Sequence, residues 1–530
     1  MTFPEREDAM WDPVAEHAVS AGLDESARRL APASVVAVCR GGRVLAVAAH
    51  GEVGPRAPTT RETVFRIASM SKSFLSAAVL VLRDRGLIDL YAPITRYVPY
   101  ARARYRGADV EMTGDLLLSN RAGLGEDNAW ADRNLGASRE RIAALFAGGV
   151  SLSASPGTAY QYSNLGQALL GRAVENVTGR AVEDVVHEVL LAPLGLDRTA
   201  YVADGYDGAA LAGGYRTFDG GATFAAEPFV GSGALACIGS MFSTVDDIAA
   251  WMDFLGSAFT SRPTRPEVLS VQSRLGMQQP HTPIPVAVDA PDGRILTGAG
   301  YGYGLVIEDD RRFGRIVQHS GGLPGFSSHM RWHAATGVGV VAFGNSDEFG
   351  AKRVATTALR EVLEGVDAPA AVVRPWRATI EAAGAIDAAL LRGERAAQLP
   401  LLADNLLRDV PAEVRDAGLA RDREQIGGVR SAQSDFAKRI VTAANEDELR
   451  WRIEGERGDL IVEIRMIALP EPRVQSLTVS AIERGHHVRK GQSSGVEEHY
   501  RIDLSDAVED PSGRSEPRVR HKSTPSKNRF

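Results

Sequence analysis

The chain is poor in cysteine, in lysine and in long apolar runs, and each shortage removes a class of explanation. Its 530 residues hold two cysteines, Cys39 and Cys237. Two cannot build a disulfide framework, and neither stands in a Cys-x-x-Cys pair, so a structural zinc site lacks its ligand set. Both read as small buried hydrophobes. No apolar segment is long enough to cross a bilayer. Met1 to Asp8 is acidic where a secretory leader is basic and then apolar, so the expected location is cytoplasmic, with no membrane partner. Nor is there an excess of one charge: 60 Lys and Arg stand against 67 Asp and Glu, a net charge of −7 with no dominant block. Nothing there would steer the chain to nucleic acid.

The lysine shortage is the most informative. Among the first 351 residues a single lysine occurs, Lys72, three positions after a serine in the run Phe65-Arg66-Ile67-Ala68-Ser69-Met70-Ser71-Lys72-Ser73-Phe74. Elsewhere in that stretch Arg carries the positive charge, so Lys72 supplies something Arg cannot. A desolvated ammonium can lose its proton near neutrality, and a guanidinium cannot. A serine hydroxyl needs a neighbouring base to become a nucleophile, and residues three apart on a helix share a face. Ser69 and Lys72 therefore read as nucleophile and base. Residues Ser73 to Arg83 are apolar all round, which predicts a buried helix with Gly86 as its stop. Taken alone, Ser-x-x-Lys is equally well explained by an N-cap serine and a solvent-facing lysine.

Composition, 44% hydrophobic and 24% charged, is that of a globular protein, and 530 residues exceed one ordinary core. Ser34 to Cys39 and Arg43 to Val47 flank Gly41-Gly42 as a hairpin. Tyr303 to Glu308, Arg315 to His319, Ser328 to His333 and Val338 to Phe343 are short β-rich runs parted by turns. Helical patterns lie between, at Ser138 to Phe146, Asn164 to Thr178, Val182 to Leu191 and Ser243 to Leu255, the last with a capping box of Ser243 and Asp246. The fold class is α+β. An antiparallel sheet is built from both ends of the first domain, covered by helices including Ala351 to Leu363, with an adjoining helical subdomain. The first domain is 1–366, a linker follows at 367–390, a small α+β domain occupies 391–484, and 485–530 reads as a disordered tail.

Further downstream, Tyr160-Gln161-Tyr162-Ser163-Asn164 and His319-Ser320-Gly321 complete an ordered set. Ser-x-x-Lys, then Tyr-x-Asn, then a basic or polar residue with Ser and Gly resembles the family of class C β-lactamases, D-alanyl-D-alanine carboxypeptidases and related esterases. The resemblance covers roughly Ala33 to Leu363 and implies a β-lactamase/transpeptidase-like fold and a cofactor-free, metal-free serine hydrolase domain. It implies that Ser69 attacks a carbonyl, Lys72 takes or relays its proton, and Tyr162 shuttles a proton to the leaving group, with its pKa lowered by Lys72 or His319. It further implies that Asn164 donates to the substrate and holds Lys72. His319, Ser320 and Gly321 would line the substrate, and the backbone N–H groups of Ser69 and Gly322 would form the oxyanion hole. Singly, Tyr162 also reads as a core residue, Asn164 as a helix cap and His319 as a satisfied strand histidine.

Two departures stand out. Class C β-lactamases carry Lys where His319 stands, so binding of β-lactams or free carboxylates is put in doubt. Leu118-Ser119-Asn120-Arg121-Ala122-Gly123-Leu124 replaces the Thr-His-Thr-Ser-Gly-Leu common in relatives. Other motifs fail on context: Gly337 to Ala342 matches a dinucleotide fingerprint inside a strand, Gly491-Gln492-Ser493-Ser494-Gly495 spells a nucleophile elbow in the tail, and His486-His487 has no neighbouring ligands. The expected substrate is a small ester, amide or peptide, with β-lactams disfavoured. An acyl transferase on the same acyl-enzyme and a catalytically idle binding or sensor module are the alternatives. Homo-oligomers remain open.

Overall fold

The computed structural model describes residues 3–54, 57–206, 210–286, 294–483 and 500–504. They fall into two compact units that divide in the chain between Ala371 and Val372. In the first, helix α1 (Phe3–Gly22) leads into a hairpin of β1 (Ala33–Arg40) and β2 (Arg43–Gly54). Its turn residues Gly41 and Gly42 both take positive φ, 58° and 70°, as a two-residue hairpin turn of this hand requires. There follow β3 (Ala57–Pro58) and helices α2 (Ser71–Asp84), α3 (Asn164–Thr178) and α4 (Val245–Gly256). The chain then returns through β4 (Thr282–Pro283), β5 (Leu296–Tyr301), β6 (Val306–Asp310), β7 (Gly314–Leu323), β8 (Phe326–His333) and β9 (Val338–Gly344), and ends the unit with α5 (Ala351–Gly365).

These strands make one antiparallel sheet in the order β4-β5-β6-β7-β8-β9-β1-β2-β3. The two chain ends join where β1 pairs with β9, from Ser34 opposite Gly344 to Arg40 opposite Val338. Alternation along β1 sends Val36 and Val38 to one face, with Ala15 and Val19 of α1 and Val354 and Leu359 of α5, and sends Val35 and Ala37 to the other. Both faces are covered, so Ala33 to Cys39 is buried throughout. Helix α2 is buried from Ser71 to Leu82 because it runs through the larger core. Phe74 stacks on Trp251 of α4 with ring centroids 4.1 Å apart, and the indole N–H of Trp251 donates to Ser73 Oγ at 3.0 Å.

Several elements differ from expectation. Helix α1 was not foreseen: Pro13 stands inside it, a residue that ordinarily ends a helix, and its apolar positions give a weak periodic signal. Helix α4 is capped by Thr244, whose side chain accepts from Asp247 N–H, rather than by Ser243, which lies in a short strand. The run from Val182 is α-helical only to Val186 and continues as a π-helix over His187–Leu191. The stretch expected as a linker, 367–390, holds the strand β10 (Ala371–Val373) and most of helix α6 (Arg377–Arg392).

In the second unit, β11 (Ile440–Thr442), β12 (Glu448–Glu454), β13 (Gly458–Ile467) and β14 (Arg473–Glu483) form a four-stranded antiparallel sheet. Its core joins Ala383, Ile386 and Leu390 of α6 to Leu449, Trp451, Leu460 and Val462. A buried pair, Arg439 with Asp387, is completed by the indole N–H of Trp451 donating to Asp387 at 3.0 Å. Within the expected tail, β15 (Tyr500–Ile502) pairs with β10. The tail outside 500–504, including His486, His487 and Gly491 to Gly495, lies outside the described residues. Among the described residues no helix is long and apolar enough to cross a membrane.

Candidate active site

Ser69 sits on a 3-10 turn, Ala68–Met70, that opens directly into α2. Ala68 takes φ 49°, a left-handed conformation that is strained for alanine, and its carbonyl accepts the hydroxyl of Ser71 at 2.6 Å. The turn is held against the sheet through Ile67, whose carbonyl accepts Ser328 Oγ at 2.7 Å. Strand β7 crosses so near that a Cβ on Gly321 would stand 2.2 Å from both the Ile67 carbonyl oxygen and Ser328 Oγ. Only glycine fits there, and this is the physical reason for the glycine in the His-Ser-Gly triplet.

One helical turn on, Lys72 is 0% exposed. Its Nζ lies 2.8 Å from Ser69 Oγ and 2.9 Å from the Ile238 carbonyl. Burial pulls the lysine down to about 7, against the opposing pull of Asp132 and Asp127. The carbonyl can only accept, so an amine N–H points to it. In the neutral amine the lone pair is then free for the serine hydroxyl.

Tyr162 flanks the pair, with Lys72 Nζ 5.0 Å from its ring centroid and a hydrogen bond to the Ser69 side chain. Burial and the surrounding carboxylates push its phenol up, outweighing the Ser69 contact. The expected lowering is therefore absent: a lysine that is itself half neutral supplies little positive field, and His319 supplies none. Tyr162 is positioned by a residue the sequence had flagged only as a departure. The Asn120 backbone carbonyl accepts Gln161 N–H at 2.8 Å and its side-chain Oδ1 accepts Ser163 N–H at 3.2 Å, clasping Tyr162 from both sides. Asn120 does so from φ 52°, a conformation asparagine tolerates.

Asn164 corrects an expectation. Its Nδ2 donates to Asp127 Oδ1 at 3.1 Å and Asn128 Oδ1 at 2.8 Å, and it makes no hydrogen bond to Lys72 among the described contacts. Asp127 dominates this corner by also accepting the backbone N–H groups of Asn164 and Leu165, at 2.7 and 2.8 Å, at the start of α3. A carboxylate at a helix N-terminus is a stronger acceptor than anything else in reach of the amide.

His319 Nδ1 lies 2.6 Å from the Ser320 carbonyl, so that nitrogen carries the hydrogen and Nε2 accepts from the Tyr301 hydroxyl at 3.2 Å. Burial and the Lys72 charge drive the ring down to about 3, which leaves it neutral. Ser320 Oγ is engaged with His329 Nδ1 at 2.9 Å. Although β7 lies inside the sheet order, its pairing with β6 ends at Val306 opposite Gln318, so from His319 to Leu323 it is paired on one side only, with β8. That bare edge faces a cleft of about 840 Å³ lined by Ser69, Tyr162, His319, Ser320, Gly322 and Leu323, among others.

The sequence reading missed the acidic wall opposite. Glu126, Asn128 and Asp132 line the cleft, and burial lifts Asp132 to about 6 against the field of Lys72. No motif marks Asp132, which acts on Lys72 through space from a separate segment. Among the described residues no group of His, Cys, Asp and Glu is placed to hold a metal ion.

The chain is similar to several known proteins. It is 24% identical over 318 residues to "Protein flp" of Staphylococcus aureus (strain COL), a match covering 59% of each chain. It is 32% identical over 196 residues to the esterase EstB of Burkholderia gladioli, covering 33% of this chain and 48% of that one. The matches thus span less than two thirds of either relative. An octameric penicillin-binding protein homologue from Pyrococcus abyssi superposes with a TM-score of 0.54 at 20% identity, covering 85% of this chain and 97% of that one. The Beta-lactamase family model matches residues 17–364, which span the whole sheet and every residue of the site, and the chain belongs to that family.

Proposed function

We propose that the protein is a serine hydrolase that forms an acyl-enzyme at Ser69 and hydrolyses small esters or amides. The observation that carries this is the 2.8 Å contact between Ser69 Oγ and a fully buried Lys72 amine whose pKa lies at about 7. Neutral Lys72 takes the hydroxyl proton as Ser69 Oγ bonds to the carbonyl carbon. The backbone N–H groups of Ser69 and Gly322 hold the oxyanion, Gly322 standing on the bare edge of β7. As the carbon to leaving-group bond breaks, Tyr162 gives its phenolic proton to the leaving atom and regains one from the Lys72 ammonium. Water then enters, gives a proton back along the same route, and releases the acid and Ser69.

A raised phenol pKa suits Tyr162 to this relay and not to a standing phenolate base. Asn164 is assigned a positioning role through Asp127. Neutral His319 and the edge residues Ser320 and Gly321 contact substrate without offering a cation to a carboxylate at that edge, so esters and amides are favoured over β-lactams and over peptides whose free carboxylate would lie there. EstB, the relative of 32% identity, is named an esterase, which agrees with this reading. Intact-mass spectrometry after treatment with a fluorophosphonate tests it: one adduct is expected, mapped to Ser69 and absent in Ser69→Ala. An unmodified wild-type protein that also leaves a chromogenic ester intact would overturn the proposal.

A further inference from the structure

A second cavity adjoins the cleft. It encloses about 270 Å³ and shares Asp132, Leu323 and Pro324 with it. Its remaining walls are mostly apolar, including Leu135, Val230, Phe229, Phe242 and Phe326. At its lining stands Arg66, three residues before Ser69 and only 4% exposed.

No carboxylate accounts for this arginine. Among the described residues it has no ion pair, its Nε is buried without an acceptor, and its Nη2 reaches only Ser240 Oγ at 3.4 Å. Its guanidinium lies 5.0 and 5.4 Å from the ring centroids of Phe229 and Phe242. Burial alone lowers its pKa to about 10. A buried charge without a counter-ion is costly, and folds remove it or pair it. The other charged groups on the lining do not pair it. Glu227 is held by Arg133, and Asp132 stands at the junction with the cleft.

We propose that this side pocket receives the acyl arm of the substrate, and that the arm is apolar along its length and ends in a carboxylate held by Arg66. The lining supports it: apolar walls around a single unpaired guanidinium offer a planar fork of donors that fits a carboxylate bidentately, and a doubly charged phosphate would need more than one cation. The pocket meets the cleft at Asp132, Leu323 and Pro324, and Ser69 lines that cleft, so an arm seated in the pocket extends its head carbonyl into the space that Ser69 faces. The inference deepens the hydrolase reading and rests on it for the direction of the arm, though not for the binding of the acid.

The test separates the two. Dissociation constants for hexanoate and hexan-1-ol are measured by ligand-observed NMR on the full chain as wild type, Ser69→Ala, Arg66→Met and Ala226→Phe, the last adding a ring at an exposed position on the pocket lining. Hexanoate is expected to bind about tenfold more tightly than the alcohol. That preference should persist in Ser69→Ala, vanish in Arg66→Met, and be accompanied by loss of both ligands in Ala226→Phe, which keeps the assignment testable if Arg66→Met does not fold. In parallel, the wild type should cleave the mono-4-nitrophenyl ester of adipic acid with a higher kcat/KM than 4-nitrophenyl hexanoate. Equal binding of acid and alcohol, binding unaffected by either pocket variant, or cleavage of both esters with no preference between them would overturn the assignment. Acid binding without a covalent adduct at Ser69 would instead overturn the hydrolase reading and leave the pocket standing.

Discussion

At the scale of single residues, the site turns on how far burial can move a proton. Lys72 is drawn down to about 7 by desolvation, and Asp132 and Asp127 keep it from falling further. In the proposed reaction the neutral amine is the working form, so kcat/KM should rise with pH through about 7 and level off above it. Replacing Asp132 by Asn removes a charge that favours the ammonium, so the rising limb should move to lower pH; a limb that stays in place or moves up would show that Asp132 does not act on Lys72. Lys72→Arg should abolish turnover, because a guanidinium stays protonated across that range. Ser69 and Lys72 were legible as a pair through unusual residue choice and close spacing, and Tyr162 through the Tyr-x-Asn resemblance; the structure brings the three side chains together. Asp132 and Asn120 were not: one acts through space, and the other works chiefly by backbone geometry that its letter does not announce. Asn164 was legible as a helix-start residue, yet its partner Asp127 lies 37 positions away and decided which way the amide turned.

At the scale of elements, the close crossing of β7 and the Ser69 turn sets the geometry of the nucleophile. Gly321→Ala would drive a methyl into the Ile67 carbonyl and Ser328, and overpacking of this kind costs about 1–3 kcal/mol. Acylation should fall by more than the stability loss accounts for, since the strand must shift away from Ser69. A variant with unchanged burst kinetics and melting temperature would contradict the crossing. Within α2, Leu80 is fully buried, and Leu80→Ala should destabilise the first unit by about 2–5 kcal/mol, read from chemical denaturation. Strand and helix positions were legible where periodicity was strong, as in β1, β8, β9 and α3, whose bounds agree closely with expectation. The short strands β4 and β5 gave no such signal, because two-residue and glycine-containing strands carry little alternation.

At the scale of the whole molecule, every residue of the candidate site comes from the first unit. A chain ending after Ala371 should therefore keep its hydrolysis of a short acetyl ester, checked by kcat/KM beside a circular-dichroism melt; loss of activity in a folded truncation would show that the second unit completes the site. A small α+β region after the first sheet was legible from the alternation at Leu449 to Ile453, Leu460 to Met466 and Val474 to Val479, which fall in β12, β13 and β14. The stretch 367–390 was misplaced because Ala-rich helices and short strands resemble connectors when their partners, here β15 and the sheet β11 to β14, are far along the chain.

The pairing of β1 with β9 also governs how the protein is made. The first hairpin emerges from the ribosome long before its neighbour, and until Val338 to Gly344 has been translated one side of β1 stays without its strand. Such late closure slows folding and exposes apolar side chains and unpaired backbone groups to other nascent chains. Nascent chains stalled before Val338 should accordingly be cut readily by protease within Ala33 to Arg40, and those released beyond Gly365 should resist.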